Sequence, residues 1–282
     1  MNILNRINKI ENITNNEEIL INYINKYPEE FINLKPKEIS AKTHVSVPTI
    51  YRLINKLGLN GINDLKVEIR TYLKNRNDIK IENIDYPILP TDTHYEVMLK
   101  LKDVYDQTIN DTLDLIDPET LVKVCELMLN SRTIDIYTSA ANIFFAENFK
   151  FQMQEINTIV NVPKEDYIQR LTSANSDSSN LAIVISFGGR GKAFKDLVEI
   201  LKNNKTKIIL ITSTEENFLW KYADYKIYMS SFENHYNKIS SFSTRITLLY
   251  ILDTIYANYF KMDYERNINK KIKAYKKINN NV

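Results

Sequence analysis

The chain predicts two domains of different class: an all-α domain built around a helix-turn-helix, then an α/β domain whose open sheet is mainly parallel. Three observations carry this reading. Residues 34–61 hold two short helical patterns joined at a tight bend. Residues 1–76 show no strand-like alternation. From Thr133 to Met229, strand-sized apolar runs alternate with helical patterns, which argues for a sheet covered on both faces.

The helices come first. Ile3, Leu4, Ile7 and Ile10 make one apolar stripe, and Ile19, Leu20, Tyr23, Ile24 and Tyr27 make a second. Glu17 and Glu18 stand in that second helix's first turn, where its dipole favours them. A helix then opens at Pro36, which has no backbone donor to leave unpaired. Ile39 and Ala41 are expected to face inward and Thr43-His44 to form the bend. Ser46 caps the next helix. Val47, Ile50, Ile54 and Leu57 are its buried stripe, and Gly58 is a left-handed stop. A helix carrying Leu65, Ile69, Tyr72 and Leu73 completes five short helices, a domain of residues 1–76.

Residues 77–92 lose periodicity, contain Pro87 and Pro90, and read as a linker. A long helix resumes near His94 with Val97, Leu101, Tyr105, Ile109 and Leu113 on one face. Asp117-Pro118 caps and opens another helix, to about Asn130. Strands follow at 133–137, 158–162, 181–187, 207–212 and 225–229, with helices at 143–154, 164–171, 192–202 and 218–222 between them. A last helix is expected over 238–260, so the second domain spans 93–265. The Lys- and Asn-rich end, 266–282, reads as a flexible basic tail.

Composition narrows the function classes. One cysteine, Cys125, excludes an internal disulfide and suits a reducing compartment. The three histidines lack ligand spacing, so no metal site is expected. No secretory h-region and no bilayer-length apolar run is visible, and a cytoplasmic protein with no membrane partner is expected. Charge is uneven. Residues 35–76 hold nine basic residues against three acidic ones, an excess of six, while the whole chain is only +2. The outward face of the Ser46–Leu57 helix is short, polar and basic, as a helix lying in a major groove requires. Lys35, Lys37, Ser46, Pro48, Thr49, Tyr51, Arg52, Asn55 and Lys56 are the expected contacts with double-stranded operator DNA.

Several local stretches resemble the RpiR/MurR family of bacterial transcriptional regulators. They are Val45-Ser46-Val47-Pro48-Thr49-Ile50-Tyr51-Arg52, Lys56-Leu57-Gly58-Leu59-Asn60-Gly61 running into Leu65-Lys66, Ile183 to Gly189, Ile211-Thr212-Ser213, Ser243-Thr244-Arg245-Ile246 and Leu252-Asp253. The resemblance covers nearly the whole chain. It implies a C-terminal sugar-isomerase-type (SIS) domain, a three-layer αβα, flavodoxin-like fold with a mainly parallel five-stranded sheet that senses phosphosugars, and control of carbohydrate genes. The SIS fold also occurs in isomerases, but a regulator with no cofactor and no catalytic activity is expected here.

The ligand loops depart from the family's pattern. Its first loop is typically Gly-x-Gly-x-Ser; here it is Thr138-Ser139-Ala140-Ala141-Asn142. Its second is Ser-x-Ser-Gly-x-Thr; here it is Ser186-Phe187-Gly188-Gly189-Arg190-Gly191. In such sheets a ligand sits beyond the carboxyl ends of the strands. The expected effector contacts are Ser139, Asn142, Ser186, Gly188, Gly189, Arg190, Gly191, Thr212 and Ser213. Free glycine amides would form an anion nest, with Arg190 replacing lost hydroxyls. The competing reading is a decayed pocket and a SIS domain that only dimerises. An isomerase needs a base, for which Glu147, Glu155, Glu233 and His235 are the nearest candidates. At least a homodimer, or a tetramer, is expected, because one helix-turn-helix makes too few base contacts. Helices 94–115 and 238–260 are the expected interface.

Overall fold

The structure is a computed structural model that describes residues 3–8, 10, 12–77, 83–189, 192–230, 233–234 and 236–279. The chain divides into two compact units, Met1–Glu82 and Asn83–Val282.

The described part of the first unit contains α1 (Ile3–Asn8), α2 (Asn15–Lys26), α3 (Pro28–Asn33), α4 (Pro36–Thr43), α5 (Val47–Lys56) and α6 (Ile62–Asn77). That is one helix more than the periodicity predicts. Pro28 cannot continue α2, so it starts α3 at the first helical position, and α3 drives Phe31 into the core. The core is Leu20 and Ile24 of α2, Phe31, Ile39, the α5 residues Ile50, Leu53 and Ile54, and Leu65 and Ile69 of α6. Ile19 and Tyr27, expected on the buried stripe, are exposed. Ala41 is exposed too, and Thr43 takes the inward place, its hydroxyl donating to the Ile39 carbonyl at 2.7 Å.

In the second unit α7 (His94–Leu115) and α8 (Pro118–Asn130) precede β1 (Thr133–Tyr137), α9 (Asn142–Glu155), β2 (Val160–Asn161) and α10 (Asp166–Ala174). There follow β3 (Asn180–Ile185), α11 (Lys192–Asn203), β4 (Lys207–Ser213), a single 3₁₀ turn at Trp220–Tyr222, β5 (Tyr225–Met229), α12 (Phe242–Met262) and α13 (Tyr264–Ile278). The strand order is β2-β1-β3-β4-β5, and every pairing is parallel. Pleating sends Ile134, Ile136, Ile183, Ile185, Ile209 and Ile211 to one face, against α8, α9 and α12. Tyr137, Ala182, Val184, Ile208 and Leu210 go to the other, against Phe194, Leu197, Val198 and Leu201 of α11.

Three expectations change here. The face of α7 that packs on α12 is Val104, Thr108 and Thr112, not the predicted aliphatic stripe. Thr108 and Thr112 each donate to the carbonyl one turn back, so their oxygens accept the hydroxyls of Ser243 (2.7 Å) and Thr247 (3.0 Å). Close polar zippering replaces aliphatic packing. The linker is shorter than 77–92, because Asp85 belongs to the second unit. Its carboxylate accepts from Asn234 N–H at 2.6 Å, and its carbonyl accepts from Ile239 N–H at 3.0 Å. The tail from 266 is not a loose end over its described length. Asn267 is buried and donates to the Phe260 carbonyl at 3.1 Å, while Lys271 and Tyr275 both reach Glu155 of α9.

Candidate functional site

The bend of the helix-turn-helix is built from local chemistry. His44 ends α4 in the left-handed region at φ 55°, and Gly58 follows α5 at φ 71°. The Ser46 hydroxyl accepts from the Thr49 N–H, capping α5. Gly58 and the cap fix both ends, and the apolar stripe fixes the rotation. Ser46, Pro48, Tyr51, Arg52 and Asn55 therefore stand on the exposed side, with Lys35 and Lys37 exposed at the start of α4.

Two of the predicted DNA contacts are placed differently. Thr49 is buried, on the flank beside Leu53. Its hydroxyl oxygen lies 2.8 Å from Ser46 Oγ and accepts from the Arg52 guanidinium at 3.0 Å. Thr49 thus orients Arg52 from below and does not face outward, because a one-carbon hydroxyl fits the edge of the core. Lys56 is folded back onto α2. Its ammonium donates to the Asn12 carbonyl at 2.8 Å and to the buried Glu17 carboxylate at 2.9 Å. Burial works against the Glu17 anion, but the Thr14 amide, Lys56 and the Thr14 hydroxyl prevail and hold its pKa below the usual carboxylate value. Of the other local cations, Lys66 donates to the Leu34 carbonyl and Arg70 to the Ile32 carbonyl. The local charge excess is partly spent on holding the helices together.

In the second unit, the loops after β1, β3 and β4 gather at the carboxyl edge of the sheet. The change of direction in the strand order falls between β1 and β3, where parallel sheets of this kind open a crevice. Thr138 Oγ1 donates to the Ile185 carbonyl at 3.0 Å, and Gln169 Nε2 donates to the Thr138 carbonyl at 2.7 Å. These bonds fix where the first loop leaves β1. Ala140 takes φ 52°, Ser139 is exposed, and Asn142 is half-buried as the first residue of α9.

The second loop is tied down by residues expected to touch a ligand. Thr212 is buried; its hydroxyl donates to the Phe187 carbonyl at 3.1 Å and accepts from Asn217 Nδ2 at 3.1 Å. Both bonds hold the loop in place. Ser213 is buried as well, and its Oγ has no hydrogen-bond partner. Gly189 is buried at φ 62°, and a Cβ there would lie 2.5 Å from Asn217 Cγ and 2.7 Å from Asn217 Cβ. Ser186 and Gly188 remain half-exposed. Arg190 and Gly191 lie outside the described residues. Asn217 and Gln169, which organise the edge, escape a sequence reading because no periodicity or motif marks them.

The carboxylates considered as isomerase bases are engaged elsewhere. Glu147 pairs with Lys164 at 3.2 Å, and Glu155 with Lys271 at 2.8 Å. Glu233 is buried, accepts from Thr244 Oγ1 at 2.7 Å and from Lys238 Nζ at 3.1 Å, and caps the start of α12. His235 lies outside the described residues. Burial pushes the Cys125 thiol up to about 11, as a core filler requires. Among the described residues no helix is long and apolar enough to cross a membrane.

A helix-turn-helix unit joined to an SIS-type α/β unit defines a DNA-binding transcriptional regulator. Residues 1–76 match the model of the helix-turn-helix domain of the rpiR family, and residues 127–256 match that of the SIS domain. The chain belongs to the RpiR family of helix-turn-helix regulators. It is 25% identical over 265 residues to an HTH-type transcriptional regulator of Clostridium perfringens, covering 93% of this chain and 92% of that one. It is 21% identical over 262 residues to the HTH-type transcriptional regulator RpiR of Escherichia coli, covering 93% and 87%. Among solved structures, the NanR protein of Vibrio vulnificus, complexed with ManNAc-6P, superposes with a TM-score of 0.60 at 14% identity, covering 98% of both chains. The sugar isomerase domain of an RpiR transcription factor from Sphaerobacter thermophilus gives 0.57 at 13% identity, over 64% of this chain and 98% of that one.

Proposed function

We propose that this regulator binds operator DNA as a homodimer through α5 and adjusts that binding when its SIS unit takes a small anion, with a phosphosugar as the class to test first. It acts in the cytoplasm and catalyses nothing. The observation that carries the DNA half is the exposed row Ser46, Pro48, Tyr51, Arg52 and Asn55 on a helix capped at both ends. Arg52 is already aimed by the buried Thr49 hydroxyl, so less ordering remains to be done on binding. Lys35 and Lys37 supply phosphate contacts.

Support for dimerisation comes from α7, whose residues Tyr95, Met98, Leu99 and Leu113 are exposed and apolar. The other helix expected at the interface, α12, has less apolar surface to offer. Its apolar residues Leu248, Ile251, Leu252 and Ile255 are buried in the unit's own core.

For the effector, Ser139, Asn142, Ser186 and Gly188 lie at the switch point between β1 and β3, with Arg190 and Gly191 next in the chain. The NanR neighbour, which binds ManNAc-6P, makes a phosphosugar the first class to screen. The burial of Thr212 and Ser213 favours the rival reading, a SIS unit that only dimerises. Thermal unfolding with millimolar phosphosugars, nucleotides and inorganic phosphate separates the two. A ligand at 100 times its Kd stabilises by about 2.7 kcal/mol. A shift that grows with concentration and vanishes in Ser139→Ala/Ser186→Ala supports the effector; no shift with any compound leaves the scaffold reading standing.

A further inference from the structure

Basic charge is concentrated a second time, at the far end of the chain. Residues 264–278 hold six basic residues and one acidic one, an excess of five in a chain whose total is +2. This helix, α13, lies beyond both family matches, which end at residues 76 and 256. Its charges are ordered. Arg266, Lys270, Lys273 and Lys277 follow one another at i, i+4, i+7 and i+11, which places them on one face over three turns. The opposite face is held to the domain by buried Asn267 and by Lys271 and Tyr275 on Glu155.

The stripe itself is largely uncommitted. Lys273 and Lys277 are exposed and Lys270 partly so; Arg266 makes only a local pair with Asp263 at 3.2 Å. Burial foremost, and then the like charge of Arg266 beside it, hold Lys270 below the ordinary lysine value, and the Asp263 carboxylate at the start of the row offsets this only in part. A row of self-repelling cations on an anchored helix is complementary to a polyanion.

We propose that the stripe Arg266, Lys270, Lys273 and Lys277 is a second DNA contact, one that tracks the phosphates of the duplex and adds affinity without reading sequence. The proposal rests on the reading of this chain as a DNA-binding protein, which brings a duplex to the same molecule. A membrane surface is the other polyanion a basic amphipathic helix can meet. It suits α13 less, because Ile272 and Tyr275, though exposed, share their side of the helix with the bonds of Asn267 to the Phe260 carbonyl and of Lys271 and Tyr275 to Glu155, which would have to break for that side to enter lipid.

The test is the salt dependence of binding of the full chain to a 40-bp duplex of mixed sequence, followed by fluorescence anisotropy. Log Kobs falls with log salt at a slope of about −0.9 per neutralised phosphate. In Lys270→Gln/Lys273→Gln/Lys277→Gln the slope is expected to become shallower by about 2 to 3. The same charge change in Lys195→Gln/Lys205→Gln/Lys221→Gln, at exposed lysines elsewhere in the unit, is expected to leave it unchanged. Equal slopes for the stripe variant and the parent overturn the proposal while leaving DNA binding by the first unit intact. Equal flattening in both triple variants overturns it too, in favour of net charge alone. A parent chain that binds no duplex even at low salt sinks the DNA reading and the proposal together. Vesicles with 30% phosphatidylserine serve as the second arm: capture by vesicles that the stripe variant loses, with duplex slopes unchanged, overturns the proposal in favour of a membrane.

Discussion

Replacing Gly189 by alanine tests how the second loop of the sheet edge is held. At φ 62° a Cβ brings left-handed strain of about 1–2 kcal/mol. The contact with Asn217 adds more. A rotamer change could move Asn217 Cγ and Oδ1 away, but Asn217 Cβ, 2.7 Å from the new methyl, is fixed by its own backbone. Either the loop or the 215–219 turn must therefore shift. The bonds at risk are Asn217 Nδ2 to Thr212 Oγ1 and Leu219 N–H to Asn217 Oδ1, both 3.1 Å. At about 1 kcal/mol each, and with the strain, the loss comes to roughly 3–4 kcal/mol. Trp220, the chain's one tryptophan, lies three residues beyond Asn217, so its fluorescence during urea unfolding reports this unit. In an Asn217→Gly background the collision disappears, and Gly189→Ala should then cost only the strain, about 1–2 kcal/mol. A cost below about 1 kcal/mol in the parent, or the same cost in both backgrounds, would refute the geometry.

Glu17→Gln should destabilise the first unit by about 1–2 kcal/mol by weakening its bonds to Thr14 and Lys56, measured by thermal unfolding of the full chain. Because the folded state depresses the Glu17 pKa, its ionisation contributes stability above the ordinary carboxylate value. That stability is lost as pH falls through the folded pKa, so the gap between parent and variant should close in acid. Thr49→Val, nearly equal in volume, should leave the fold in place but release Arg52, lowering affinity for a selected DNA site by roughly 3- to 10-fold in a gel shift, about one hydrogen bond; unchanged affinity would show that Arg52 needs no such positioning. Met98→Glu, placing a charge on the exposed face of α7, should shift the protein from dimer to monomer in sedimentation, and a dimer that persists unweakened moves the interface elsewhere.

How far the sequence reaches depends on the range of the forces involved. The α4–α5 pair was legible because Pro36, Ser46 and Gly58 each act within one turn. The sheet was legible because its central strands are continuous apolar runs, as strands covered on both faces must be. What failed is set by distant partners. Lys56 looks like a groove cation until Glu17, 39 residues earlier, is seen to hold it. The end of the chain looks like a fraying tail until Glu155, 116 residues before Lys271, anchors it. Thr49 and Thr212 show a subtler limit: a short hydroxyl serves equally at a binding surface or at the edge of a core, and only neighbours decide.

Whether α5 reads base sequence through Arg52 is decided by selecting duplexes from a random pool with the full chain. Parent and Arg52→Ala are then compared on the selected site and on a scrambled one at fixed salt. If Arg52 contacts a base edge, the substitution costs about 1–3 kcal/mol on the selected site, roughly 5- to 150-fold, with little change on the scrambled duplex. An Arg52→Ala protein that keeps the parent's ratio of selected to scrambled affinity would contradict that contact.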